Sequence, residues 1–449
     1  MIESKPVILV VDRETGSPFP TVMDSLPEPV TATEAGLMIG DPIPEHLRVH
    51  HGNWLAWPHC RWAFTHMDEL RASAQIAARG PLGDPLLDAG GATNDPGKVS
   101  MGSVGVGIGG LDGIVVDNGR GGTWAISEML HHTYADGFLV AHRGRVEAEW
   151  YGDGMDRSTR HIMFSMTKTV TGVLALLAVD EGAMNLDDLL VTYVPELSGS
   201  AYEPVTVRQA LDMTDGIRFN EDYTDRDSDI SRYGVAMSFT PVPRDWDGPV
   251  GVRDGILALT EREQPPGEAF AYKSVTTDVL AWATARATDR RWVDGVSDAI
   301  WTPMGAEADA SVVLDDRGIA VSSGGMSCTL RDLSRFVRML GRSGRVGDGD
   351  RERQAIPRAV ADDVAAGGDP SGDIADLYPT RRGWTYHRQC WNARRVLGGF
   401  MQMGIHGQRA FCHPESDLVV AYFSSRPVAA NVYTDAVFAS LVRAVLENS

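Results

Sequence analysis

Apolar residues recur along the chain at two spacings. Phe138-Leu139-Val140-Ala141, a turn at Arg143-Gly144 and the stretch Val146 to Tyr151 predict a β-hairpin. Arg409 to Cys412 and Leu418 to Ser424, joined by Pro414-Glu415-Ser416-Asp417, predict a second, which Gly404 and its neighbours open as a strand edge. Helical spacing marks Thr167 to Asp180, Val207 to Met213, Thr277 to Thr288, Leu330 to Leu340 and Ala436 to Leu446. Thr329 and Asp332 stand as a capping box ahead of the fourth of these. Strands near both ends with helices between them predict one antiparallel sheet gathered from distant segments, an α+β fold.

The pattern also suggests boundaries. Residues 1–50 read as an N-terminal extension, 51–190 and 306–449 as the sheet part flanked by helices, and 191–305 as a mostly helical part. The cleft between the two parts is the natural place for a ligand. The first 120 or so residues are rich in Pro and Gly and show little periodicity. Gly105, Gly107 and Gly110 match a GxGxxG spacing, but no strand precedes and no helix follows, so a loop is the better reading. Residues 344–350 and 367–373 also read as surface loop.

Charge and composition narrow the function. The 449 residues carry 41 basic and 61 acidic side chains, a net charge of −20, which disfavours nucleic acid, an anionic membrane or a strongly anionic substrate as partner. The run Val7 to Val11, cut by Asp12, and the run Val173 to Val179 are too short for an export signal or a membrane span, so a cytoplasmic protein is expected. Cys60, Cys328, Cys390 and Cys412 are few and far apart, as buried thiols in a reduced compartment would be. His131-His132 lacks ligand spacing and no metal motif is present, so no metal or cofactor is expected.

The candidate chemistry centres on Phe164-Ser165-Met166-Thr167-Lys168, which leads into an apolar helix stopped by Gly182. An i, i+3 pair shares a helix face, so the Lys168 amine can reach the Ser165 hydroxyl. Serine needs a neighbour to take its proton, and a lysine kept neutral by burial can do so. Phe270-Ala271-Tyr272-Lys273-Ser274, after Pro265-Pro266-Gly267, brings a tyrosine to a turn before a helix. Held near a lysine, Tyr272 could exist partly as phenolate and shuttle the serine proton to a leaving group. Gly404-Ile405-His406-Gly407-Gln408 supplies a strand edge without a side chain at Gly404, where backbone N–H groups and that of Ser165 could bind an oxyanion.

Together, Ser165-x-x-Lys168, Tyr272-x-Ser274 and the Gly404 segment resemble the three motifs of serine β-lactamases and penicillin-recognising enzymes, nearest to the class C-like branch. Gln402-Met403-Gly404 stands where those enzymes carry K-T-G, so the lysine that grips a β-lactam carboxylate is missing. A narrower resemblance runs from about residue 55 to the C-terminus. Pro58-His59-Cys60-Arg61-Trp62-Ala63-Phe64, Asn220-Glu221-Asp222-Tyr223, Thr277-Asp278-Val279-Leu280-Ala281-Trp282 and Gly404-Ile405-His406-Gly407-Gln408 are similar to 6-aminohexanoate-dimer hydrolases and their carboxylesterase relatives.

That resemblance implies Ser165 as nucleophile, Lys168 and Tyr272 as proton carriers, the N–H groups of Ser165 and Ile405 as oxyanion donors, and Tyr223 closing over the substrate amide. His406 is left open between orienting substrate and a structural bond. The implied activity is hydrolysis of a small linear amide or ester through an acyl-enzyme. A β-lactam or D-amino-peptide hydrolase and a non-catalytic ligand-binding module are the alternatives. The acidic residues Asp222, Asp225 and Asp227 near Tyr223 would suit an amine-bearing substrate, and whether the protein is a homodimer is left open.

Overall fold

The computed structural model describes residues 26–80, 87–88, 111, 113–223, 225, 227–368, 374, 377–429 and 432–448. The Gly105, Gly107 and Gly110 motif lies outside these residues, as does most of the 367–373 segment. An eight-stranded sheet organises the rest. Its strands are β1 (Leu87–Asp88), β2 (Ala135–His142), β3 (Arg145–Tyr151), β4 (Thr385–His387), β5 (Cys390–Asn392), β6 (Phe400–Met403), β7 (Arg409–His413) and β8 (Leu418–Ser424). They lie in the order β4-β5-β6-β7-β8-β2-β3-β1, antiparallel except where β1 runs beside β3. Both expected hairpins are present, and β8 pairs with β2 so that the two ends of the chain share one sheet.

The sheet is buried on both faces, which is why β8 is an unbroken apolar run. Val419, Ala421 and Phe423 enter one core, and Leu418, Val420 and Tyr422 the other. Helix α4 (Val432–Glu447) covers the second face through Val437, Leu441 and Val445. The first face is covered by α1 (Thr167–Asp180) and α3 (Leu330–Gly341), together with α2 (Ser274–Thr288). Between Leu190 and Met304 every described helix or strand is helical. Leu37, Val49 and Trp54 join the core on the first face.

Three details depart from expectation. Helix α2 starts at Ser274, three residues before the pattern predicted. The Thr329 hydroxyl accepts the Asp332 N–H at 3.1 Å, but the Asp332 carboxylate accepts the N–H groups of Glu307 and Ala308 instead of closing a capping box. The Gly404 segment is a turn between β6 and β7, not a strand edge opening the hairpin. The Gly404 N–H donates to Gln408 O at 3.0 Å, Ile405–Gly407 forms a 3-10 turn, and His406 takes a left-handed φ of 59°. The four cysteines are free and buried, and burial pushes the Cys60 and Cys390 thiols up to about 12.

Candidate active site

Ser165 sits in a single 3-10 turn, Phe164–Met166, that feeds directly into α1. The turn is strained, since Phe164 has φ 46°, a region that bulky residues avoid. Packing holds it there. The Phe164 ring stacks on Trp54 at 6.0 Å and meets Phe64 at 5.0 Å and His406 at 5.4 Å, while the Met163 N–H donates to Met326 O. The result turns Ser165 to the edge of the core, half-buried, with an N–H that has no acceptor among the described residues.

One turn on, Lys168 is buried at 1% exposure because α1 is enclosed from Thr167 to Ala178. Its Nζ donates to Ser165 Oγ at 3.0 Å and to Ser323 O at 2.8 Å. Burial lowers its pKa to about 8, with the carboxylates of Glu221 and Asp278 pulling the other way. A useful fraction of the amine is therefore neutral near physiological pH.

The Tyr272 ring lies 5.1 Å from Lys168 Nζ, and Ser165 is near enough to its hydroxyl to favour the phenolate. It is walled by aromatic rings. Trp391 stacks on it at 5.4 Å, Tyr386 meets it edge-on at 5.7 Å, and Phe270 packs behind against Tyr386. This environment corrects the phenolate expectation. Burial, reinforced by Glu221, pushes the Tyr272 phenol well above its ordinary range, although Ser165 and Arg381 oppose it. Burial thus favours the neutral form of both groups, the phenol being pushed up and the Lys168 amine down.

Tyr223 is joined to this cluster by Glu221, which the sequence reading had not singled out. The Tyr223 hydroxyl donates to Glu221 Oε1 at 2.6 Å. The same carboxylate accepts the Ser274 hydroxyl at 2.6 Å and the Ser274 N–H at 2.5 Å, capping α2 two residues after Tyr272. Tyr223 itself is 38% exposed, so it stands at the solvent side of the site. Within the acidic loop, Asp225 accepts the Asp227 N–H and Asp229 accepts the Asn220 N–H, so both carboxylates shape the loop itself. The intervening Lys273 points away, to buried Asp215 and to the exposed carboxylate of Glu263.

Gly404 brings the β6–β7 turn against the nucleophile segment. A Cβ at Gly404 would lie 2.5 Å from Met163 O, so only glycine permits this approach. The next N–H, of Ile405, has no acceptor among the described residues. His406 departs from the substrate-binding alternative. Its ring is 5% exposed, wedged between Phe64 and Phe164, with Nδ1 2.7 Å from Arg426 O, and burial lowers its pKa to about 4. His406 is a neutral packing element behind Ser165. Among the described residues, no group of three His, Cys, Asp or Glu side chains could hold a metal ion, and no helix is long and apolar enough to cross a membrane.

The sheet with helices on both faces, and a serine–lysine pair beside a tyrosine, define a β-lactamase-like fold, and the family model for beta-lactamase matches residues 125–442. The chain belongs to that family of hydrolases. Within it, the chain is 31% identical over 379 residues to the 6-aminohexanoate-dimer hydrolase of Paenarthrobacter ureafaciens, spanning 84% of this chain and 88% of that protein. A candidate 6-aminohexanoate-dimer hydrolase of Bacillus anthracis superposes with a TM-score of 0.74 at 25% identity, covering 90% of this chain and 99% of that one. A family VIII carboxylesterase shares the fold more distantly, with a TM-score of 0.51 at 16% identity over 71% of this chain and 95% of its own.

Proposed function

We propose that this protein is a serine amidase or carboxylesterase that cleaves a small linear amide or ester, of the 6-aminohexanoate-oligomer kind, through an acyl-enzyme. The observation that carries the reading is a fully buried lysine, lowered to about 8, hydrogen-bonded to the hydroxyl of a half-buried serine. Neutral Lys168 accepts the Ser165 proton as Oγ attacks the substrate carbonyl carbon. The developing oxyanion is received by the N–H groups of Ser165 and Ile405, which have no other acceptor among the described residues. Tyr272, held neutral, gives its proton to the departing amine or alkoxide, and the Lys168 ammonium restores it. Water, deprotonated by the same amine, then releases the acid.

In this reading Tyr223, at the solvent side, touches the substrate amide. The relatives' names favour a linear amide. The protein is incubated with a fluorophosphonate probe and digested for mass spectrometry, which should place the label on Ser165. Turnover of 6-aminohexanoate dimer, a p-nitrophenyl ester and a chromogenic cephalosporin is then compared between wild type and Ser165→Ala. An unlabelled protein would point to a ligand-binding module, and turnover confined to the cephalosporin would replace linear amides with β-lactams.

A further inference from the structure

A second carboxylate lies behind the site, and no step above uses it. Asp278 is on α2, six residues beyond Tyr272, and is 2% exposed. Its Oδ1 accepts the Ser322 hydroxyl at 2.7 Å and the Ser323 N–H at 2.9 Å. Its Oδ2 accepts the Ser323 hydroxyl at 2.7 Å and the Tyr233 hydroxyl at 2.9 Å. Four donors occupy the carboxylate and fix the segment Ser322-Ser323. That segment presents two carbonyls to α1. Ser323 O accepts Lys168 Nζ at 2.8 Å, and Ser322 O accepts the Thr171 hydroxyl at 2.8 Å, one residue short of a full turn further on.

We propose that Asp278 is a positioning residue for the Lys168 amine: by clamping Ser322-Ser323 it fixes the carbonyl that aims Nζ at Ser165 Oγ. The inference rests on the proposed role of Lys168 as the base. A lysine has a flexible four-carbon stem with many rotamers, so an amine bonded only to the serine would be loosely aimed. A second bond to a carbonyl that cannot move selects one rotamer. The charged groups facing Nζ are Asp278 from α2 and Glu221 from the loop before Tyr223, and both favour the ammonium against the effect of burial. Asp278 thereby acts on the direction of the amine and on the pH at which it becomes a base.

The test follows the inactivation of the full-length protein by a fluorophosphonate, with the maximal rate and the half-saturating concentration measured across pH. Asp278→Ala should lower the maximal rate by about 10- to 100-fold with half-saturation little changed, as expected when a base is misaimed. Asp278→Asn keeps an oxygen for Ser322 and Ser323 and removes the charge. It should recover much of that rate and move the acid limb of the profile to lower pH, a shift that lost packing alone would not give. Asp278→Ala within about threefold of wild type would overturn the proposal, as would an acid limb in Asp278→Asn that coincides with that of wild type. Where Asp278→Ala does not fold by circular dichroism, the acid limb of Asp278→Asn decides alone. A wild-type protein that takes no label would sink the hydrolase reading instead, so the two failures are told apart.

Discussion

Replacing Gly404 by alanine tests the site where its geometry is tightest. The new Cβ would fall 2.5 Å from Met163 O and 3.0 Å from Gln408 Cβ, against ordinary contacts of 3.4 Å or more. The backbone of the β6–β7 turn and the segment leading to Ser165 would have to part by about 0.9 Å. Met163 is anchored to Met326 and Phe164 is wedged among three rings, so the turn carrying Ile405 is the side that yields. An oxyanion donor displaced by that amount is largely lost, and losing one such donor costs about 100- to 1,000-fold in kcat. Overpacking would also cost about 1–3 kcal/mol of stability. Hydrolysis of a p-nitrophenyl ester gives kcat and KM, and a thermal melt gives stability. Gly407→Ala serves as the control. There φ is 100° and a Cβ would meet Ser424 Oγ at 2.8 Å, so Tm should fall without a comparable selective loss of kcat. If Gly404→Ala keeps kcat within about threefold while Tm falls, the turn is not part of the oxyanion site and the reasoning is refuted.

Four further outcomes follow. Lys168→Met should abolish fluorophosphonate labelling yet stabilise the fold at pH 7, by up to about 3 kcal/mol, since a lysine lowered from 10.5 to about 8 resists protonation in the folded state. For the same reason wild-type stability should climb between about pH 8 and 10.5, where the unfolded chain binds the extra proton, and denaturant titrations of the variant should lack that climb. Tyr272→Phe should cost an amide substrate at least about tenfold more in kcat than a p-nitrophenyl ester, whose leaving group departs without a proton. His387 is lowered by burial, but its bonds to Asp212 and Asp363 outweigh this and raise it overall. Its contribution is complete below the unfolded pKa and lost as pH rises through the folded one, so His387→Gln should flatten the fall in Tm measured from about pH 6 to above pH 7. Trp54→Ala should cost about 3–5 kcal/mol in chemical denaturation and lower kcat too, because Trp54 stacks on the strained Phe164 and donates Nε1–H to Phe239 O.

The elements visible in the sequence were those whose cause is local. Helix α1 begins and ends where the pattern placed it, because its apolar residues continue on every side and Gly182 follows with φ 77°. The i, i+3 spacing of Ser165 and Lys168 carried the central pair for the same reason. What stayed hidden depends on contacts between distant segments. The start of α2 is set by Glu221, whose carboxylate arrives from a loop, so the helix opens at Ser274 and not at Thr277. The chain bends after extended Gly404 through left-handed His406, whose ring packs on Phe64 and Phe164 from distant segments. Asp278 offered one faint signal, an acid among apolar neighbours on a helix, which only its four buried donors explain.

The site draws on both enclosed and exposed parts of the fold. Ser165 and Lys168 ride on a helix enclosed by the core, and a strained turn survives there only because Trp54, Phe64 and His406 hold Phe164 in place. That enclosure is what lowers the Lys168 pKa, and bonds to Ser165 and Ser323 aim the amine. Tyr223 instead stands in an acidic loop, partly in solvent, fastened through one carboxylate. Glu221 spans the two regimes, since it holds Tyr223, caps the helix behind Tyr272 and favours the Lys168 ammonium. A change that pulls Tyr223 and Glu221 away from Ser274 would therefore remove a charge from the neighbourhood of Lys168 and lower its pKa.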